Sequence, residues 1–186
     1  MTKAELEDLL RRAGKLAKDR DFFLIGSQAL RGISPAIPRD FPITMEADLY
    51  PRRHPQAWGL LRMELGNTSK FFKRHSYYLD CTDPGLATLP DGWIGRLIPF
   101  RTPRTGGVTA WCLEPNDLFA SKLAAGRDKD QKFLRAMLRH KFAKPDIVRR
   151  RIPGLPVSKP HRLALVEALD TLVAEFRANT KIARNK

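Results

Sequence analysis

The chain has 186 residues, 42% of them hydrophobic, which suits a folded domain with a buried core and excludes global disorder. Lysine and arginine outnumber aspartate and glutamate by 34 to 20, so the chain carries +14 and calls for a polyanionic partner such as nucleic acid or a triphosphate. No apolar run approaches the roughly 20 residues that span a bilayer, and the first twenty residues are charged throughout, so a cytoplasmic, non-membrane protein is expected.

Thr2 and Glu5 have the spacing of a capping box, and Leu6, Leu9, Leu10, Ala13, Leu16 and Ala17 follow at helical intervals, which predicts an amphipathic helix over the first twenty residues. A short apolar strand, Phe22 to Ile25, breaks at Gly26-Ser27 into a helix. The Pro- and Gly-rich "RGISPAIPRDFPI" reads as an irregular loop before a strand "TMEADLY" that Pro51 closes. A helix from about His54 to Leu65 and a third strand in "HSYYLDCTD" come next, with "DPG" as its turn. "GRLIPFRT" and "GGVTAWCLE" predict two more strands joined across "PRTGG". Alternating strands and helices argue for a mixed α/β sheet.

From Glu114 the pattern turns helical: "EPNDLFASKLAAG", with Asn116 or Asp117 as its cap and Gly126 as its end, then "RDKDQKFLRAMLRHK", "KPDIVRRRI" and a long helix from about His161 to Arg177. "TKIARNK" is expected to be a loose tail. The division this suggests is an α/β core over residues 1–113, including the first helix, and a helical region over 114–186 packed on it. Cys81 and Cys112 lack metal-type spacing and read as reduced core residues. His54, His75, His140 and His161 also lack ligand spacing.

Two constellations carry chemistry. Glycine at Gly26 lets a phosphate approach backbone amides where a strand opens into a helix, and the Ser27 hydroxyl can add a hydrogen bond. Glu46 and Asp48 alternate along the next strand and therefore share a face, where two like charges are tolerated if a divalent cation lies between them. Carboxylate oxygens are preferred ligands of Mg²⁺, which completes its shell with waters and substrate phosphates.

GS at one strand end and two alternating acids on the next strand resemble the nucleotidyltransferase fold of DNA polymerase β. That resemblance implies an α+β core, a mixed sheet with flanking helices, followed by a helical C-terminal region. It also implies two metal ions, held by Glu46 and Asp48, that bridge an NTP and an acceptor hydroxyl. Asp80, with Asp83 next, is the candidate for the third acid. The stretches "IGSQAL", "MEADLYP", "ATLPDGW" and "WCLEPNDLFASKLAAGRDKD" are similar to AbiEii-type nucleotidyltransferases and their bacterial relatives over about Ile25 to Asp130. By that resemblance Lys122 neutralises triphosphate charge, Arg127 contacts phosphate and Asp130 orients the site.

The expected activity is Mg²⁺-dependent transfer of NMP from NTP to an acceptor hydroxyl. The resemblance makes the tRNA 3′ end a plausible acceptor and a toxin paired with a cognate antitoxin a plausible setting. Two departures stand out: the spacing from Ser27 to Glu46 is longer than in the minimal signature, and the first acid is glutamate. The alternatives are a protein-AMPylating enzyme and a non-catalytic RNA- or nucleotide-binding protein of the same fold. The basic, aromatic-containing runs "RRHPQAWGLLR", "KFFKRHSYY" and "RHKFAKPDIVRRR" are assigned to the second substrate.

Overall fold

The computed structural model describes residues 1–34 and 36–184, the side chains of 179–184 excepted. The chain divides into two compact units: Met1–Ile37, Ile43–Leu86 and Ile94–Glu114 form the first, and Pro38–Pro42, Ala87–Trp93 and the residues from Pro115 on form the second.

The first unit opens with α1, Lys3–Ala17, whose capping box forms as expected: Glu5 N–H donates to Thr2 Oγ1 at 3.3 Å and Thr2 N–H to Glu5 Oε2 at 2.6 Å. Leu6, Leu9, Leu10 and Ala13 are fully buried along one stripe. The strands are β1 Asp21–Leu24, β2 Glu46–Pro51, β3 Tyr78–Asp80, β4 Ile98–Phe100 and β5 Thr109–Cys112, arranged β3-β2-β1-β5-β4. β1 pairs antiparallel with β2 and parallel with β5, while β2–β3 is parallel and β4–β5 antiparallel, so the sheet is mixed. Phe22, Leu24, Ala47, Leu49, Leu79, Ala110 and Cys112 line its apolar face and are almost wholly buried. Burying these side chains contributes on the order of 1.5–3 kcal/mol for each large one, which is why the alternation in β2 specifies its register. Asp19 ties the start of β1 to the chain leaving β2 by accepting from the backbone of Asp21, Arg53 and His54, and these bonds outweigh burial in holding its carboxyl below the usual range.

Three helices complete this unit: α2 Gln28–Ile33, α3 Trp58–Leu65 and α4 Lys70–His75. Two of these depart from expectation. The loop before β2 is shorter than its Pro and Gly content suggests, because α2 takes in Arg31, Gly32 and Ile33. The strand expected from His75 is confined to Tyr78–Asp80, and α4 stands before it. Ser69 causes this: its hydroxyl accepts from Phe72 N–H at 3.0 Å and donates to Gly66 O at 2.6 Å, starting a helix that buries Phe71 against Tyr77. Ser76 then turns the chain in a left-handed conformation, φ 61°, before β3. The "PRTGG" connection is a single 3₁₀ turn followed by left-handed Gly106 and Gly107, as a tight joint between β4 and β5 requires.

The second unit holds α5 Pro115–Ala125, α6 Asp128–Arg139, α7 Pro145–Arg151 and α8 Lys159–Arg184. Leu118, Phe119, Phe133, Leu134, Met137, Val148 and Leu169 are buried in its core, and Phe41 packs edge-on against Phe133 and Phe142. Asn116 and Asp117 lie within the first turn of α5, after Pro115, rather than before it. Asn116 accepts the Lys144 N–H at 2.7 Å, where it serves the start of α7, and the buried Asp117 carboxylate lies 3.0 Å from Arg151. Gly126, φ 63°, ends α5 as expected. The expected tail is helical as far as Arg184, and its last two residues lie outside the described residues. Both cysteines are free thiols, Cys112 buried and Cys81 half-buried. No helix among the described residues is long and apolar enough to cross a membrane.

Candidate active site

The turn after β1 is built around Gly26. Ile25 N–H donates to Asp48 O at 3.2 Å, extending the β1–β2 pairing by one bond, and the chain then turns into α2. A Cβ on Gly26 would lie 1.5 Å from Asp48 Oδ2 and 2.4 Å from its Cγ, so the Asp48 carboxylate occupies the space that any other residue would fill. Glycine is required here by close approach, since its φ lies outside the left-handed region. Ser27 follows, buried, with its hydroxyl 2.9 Å from the Thr44 hydroxyl. Gln28 is fully buried and donates to Thr44 O. Thr44 thus anchors the start of α2 to the entry of β2.

β2 carries Glu46, Asp48 and Tyr50 on the face opposite Ala47 and Leu49. In the parallel pairing with β3, Glu46 faces Tyr78 and Asp48 faces Asp80, so three carboxylates share one sheet face. The Tyr78 hydroxyl donates to Glu46 Oε2 at 2.6 Å and fixes that side chain. This bond, then burial and the charges of Glu46, Asp80 and Asp48, push the phenol well above its usual range. Nearby, burial and the charges of Asp80 and Asp83 raise the Cys81 thiol to about 11. Asp83 itself accepts from Gly85 N–H at 2.8 Å in the turn after β3. The face thus gathers three carboxylates within a strongly basic chain.

That donor set bears on which metal it can hold. Among the described residues no group of three or more His, Cys, Asp or Glu side chains is arranged to hold a metal ion. Mg²⁺ differs in its demands: it needs only one or two carboxylates, keeps its waters and takes phosphate oxygens from a substrate.

In the second unit, Lys122 on α5 and Arg127 at the start of α6 converge on Asp130. Lys122 Nζ is 2.7 Å from Asp130 Oδ1, and Arg127 Nε is 2.6 Å from Oδ2. The Asp130 side chain is 4% exposed, Lys122 13% and Arg127 54%. Burial by itself would raise the Asp130 carboxyl, but the hydrogen bonds from Lys122 and Arg127 outweigh it and hold the carboxyl below its usual range. The Lys122 ammonium also sits 4.7 Å from the Phe133 ring centre. The left-handed Gly126 lets the chain double back so that residues eight apart meet.

The structure therefore gathers Gly26, Ser27, Glu46, Asp48 and Asp80 in the first unit and Lys122, Arg127 and Asp130 in the second. Sequence reasoning missed Thr44 and Tyr78. Tyr78 stands two residues before Asp80, the same interval as Glu46 and Asp48, and that shared alternation was the available signal. No curated protein and no solved structure matches the chain. Residues 4–153, the greater part of the chain, match the family described as "Nucleotidyltransferase of unknown function (DUF6036)", and with its mixed sheet, flanking helices and helical C-terminal region the chain belongs to that family.

Proposed function

We propose that the protein is a Mg²⁺-dependent nucleotidyltransferase that moves NMP from an NTP to an acceptor hydroxyl of RNA, with the tRNA 3′ end as acceptor. The observation that carries this reading is the seating of the Asp48 carboxylate on Gly26 at the strand-to-helix turn, with Glu46 and Asp80 on the same face. The acceptor oxygen bonds to the α-phosphorus, the bond to pyrophosphate breaks, and the acceptor proton is released. When bound, Mg²⁺ supplies positive charge that stabilises the attacking and leaving oxygens.

Glu46 and Asp48 hold the metal, and Asp80 completes the acidic set. Tyr78 keeps Glu46 in one orientation, which offsets the extra freedom of a glutamate where the resemblance expects aspartate. Gly26 gives the Asp48 carboxylate its place against the turn, and Ser27 keeps that turn in position through Thr44. Arg127, half-exposed, is the member of the second cluster with N–H groups to offer a phosphate, and Asp130 fixes its direction. Lys122 contributes charge already shared with Asp130.

On this reading residues 1–113 hold the acidic set, and the helical region from residue 114 holds the Lys122, Arg127 and Asp130 cluster. The chain's +14 supports an RNA acceptor reached in the cytoplasm. The resemblance to AbiEii-type proteins supports a toxin held in check by a cognate antitoxin.

The test is pyrophosphate release from each of the four NTPs with Mg²⁺ and total tRNA. Wild type is expected to release pyrophosphate, and Asp48→Asn, which keeps the side-chain shape beside Gly26, to lose about 100-fold or more. Release that persists undiminished in a folded Asp48→Asn protein, or none from wild type, would overturn the assignment.

A further inference from the structure

The first unit has a second feature that the acidic face does not use. α1, the end of α3 and α4 enclose a groove of about 920 Å³. Its cations are Arg12 and Lys15 from α1 and Lys70 and Arg74 from α4, with His75 beside them and Glu64 the one carboxylate in the lining. Lys15, Lys70 and Arg74 are exposed. Arg12 is fixed, bound to Asp8 at 2.6 Å and lying over Phe71 at 5.2 Å. The geometry points to this groove as the track for an RNA strand, gripped through its phosphates; this deepens the proposed function and rests on its RNA acceptor.

Three observations favour that occupant. Lys70 and Arg74 are four residues apart on one helix, so they project from the same side about one turn, or about 5.4 Å, from each other and meet successive phosphates. The two rings of the lining, Phe71 and His75, are packed on each other and on Tyr77, so the phosphates rather than the bases are the groups this groove is built to hold. Recognition is then electrostatic and tolerant of sequence. Finally, the same six-residue helix joins the groove to the acidic face, because Phe72 packs edge-on against Tyr78 at 5.1 Å and Tyr78 holds Glu46. A strand held along α4 is carried to the β3 edge, where Asp80 lies.

The experiment measures fluorescence anisotropy of a labelled mixed-sequence 12-nucleotide RNA with the full chain, without NTP, from 50 to 200 mM salt. The variant combines Lys15→Gln, Lys70→Gln and Arg74→Gln, three exposed positions outside the candidate active site, with circular dichroism to verify folding. At 50 mM salt the variant is expected to bind about tenfold or more weakly, and its log–log salt slope to be shallower by about 2, since each lost phosphate contact on a single strand removes about 0.7. Lys15→Arg, Lys70→Arg and Arg74→Lys together should restore both. An unchanged affinity and slope in the folded glutamine variant would overturn the inference. So would poly-glutamate displacing the RNA as well as unlabelled RNA does at equal charge, which would assign the groove to an acidic protein. RNA binding that follows the groove without any nucleotide transfer would retire the catalytic reading alone, and transfer with an unaltered KM for RNA in the glutamine variant would retire the groove alone.

Discussion

Asp130→Asn is expected to destabilise the protein by about 3 kcal/mol, at the lower end of what breaking a buried ion pair costs. The reason is Lys122: its side chain is 13% exposed, and without the Asp130 charge 2.7 Å away its ammonium is left buried against the Phe133 ring, a weaker partner. Arg127 is half-exposed and can turn to water, so its share of the loss is small. Urea unfolding followed by circular dichroism checks the size, and Lys122→Met in the Asp130→Asn background should recover part of it by removing the stranded charge. The pH dependence has a definite sign. The folded-state carboxyl of Asp130 lies below its unfolded value of 3.8, so its stabilisation is complete above that value and is lost as pH falls through the folded pKa. The gap in Tm between wild type and Asp130→Asn should therefore be full at pH 6 and shrink towards pH 3. A gap constant over that range would show that the carboxylate is not the stabilising form.

Gly26→Ala should damage the site more than the fold. The added methyl would stand 1.5 Å from Asp48 Oδ2 and 3.1 Å from its Cβ, so the carboxylate must swing away and β2 must give slightly at its Cβ. β2 is paired on both sides, which resists the second movement. Overpacking of this kind costs about 1–3 kcal/mol, a fall in Tm of roughly 3–10 °C at this chain length. Because the displaced group is the proposed metal ligand, nucleotidyl transfer should fall by about 100-fold or more, the same loss expected of Asp48→Asn. Asp48→Ala combined with Gly26→Ala removes the clashing atoms and should return most of the lost Tm without returning activity. A Gly26→Ala protein with wild-type Tm and turnover would show that Asp48 does not rest where the geometry puts it.

The features legible in the sequence were those set by short-range physics. The capping box of Thr2 and Glu5, the alternation through Glu46, Ala47, Asp48 and Leu49, and the glycine stop at Gly126 each depend on residues within a turn or a strand. α4 was obscured because "KFFKRHSYY" is aromatic and β-prone, and the Ser69 cap that overrides this preference competes with an equally strong strand pattern. The burial of Phe41 beside Phe133 and Phe142 was unreadable for a different reason, the distance along the chain between them. The residue types of the candidate site were visible, but not their partners. The contact of Gly26 with Asp48 follows from an antiparallel register, and the pairing of Asp48 with Asp80 from a parallel one, neither of which local sequence dictates. Lys122 looked like an isolated lysine among small residues until the turn at Gly126 brought Asp130 back to it.

The most direct test of the central claim is label transfer from each α-³²P NTP, with Mg²⁺, into total tRNA and into cell protein, wild type against Asp48→Asn. The account predicts label on RNA with wild type and none with the variant. Label on protein instead would keep the transferase and change its acceptor, and no label from any NTP on either acceptor would contradict the account and leave a binding protein of the same fold.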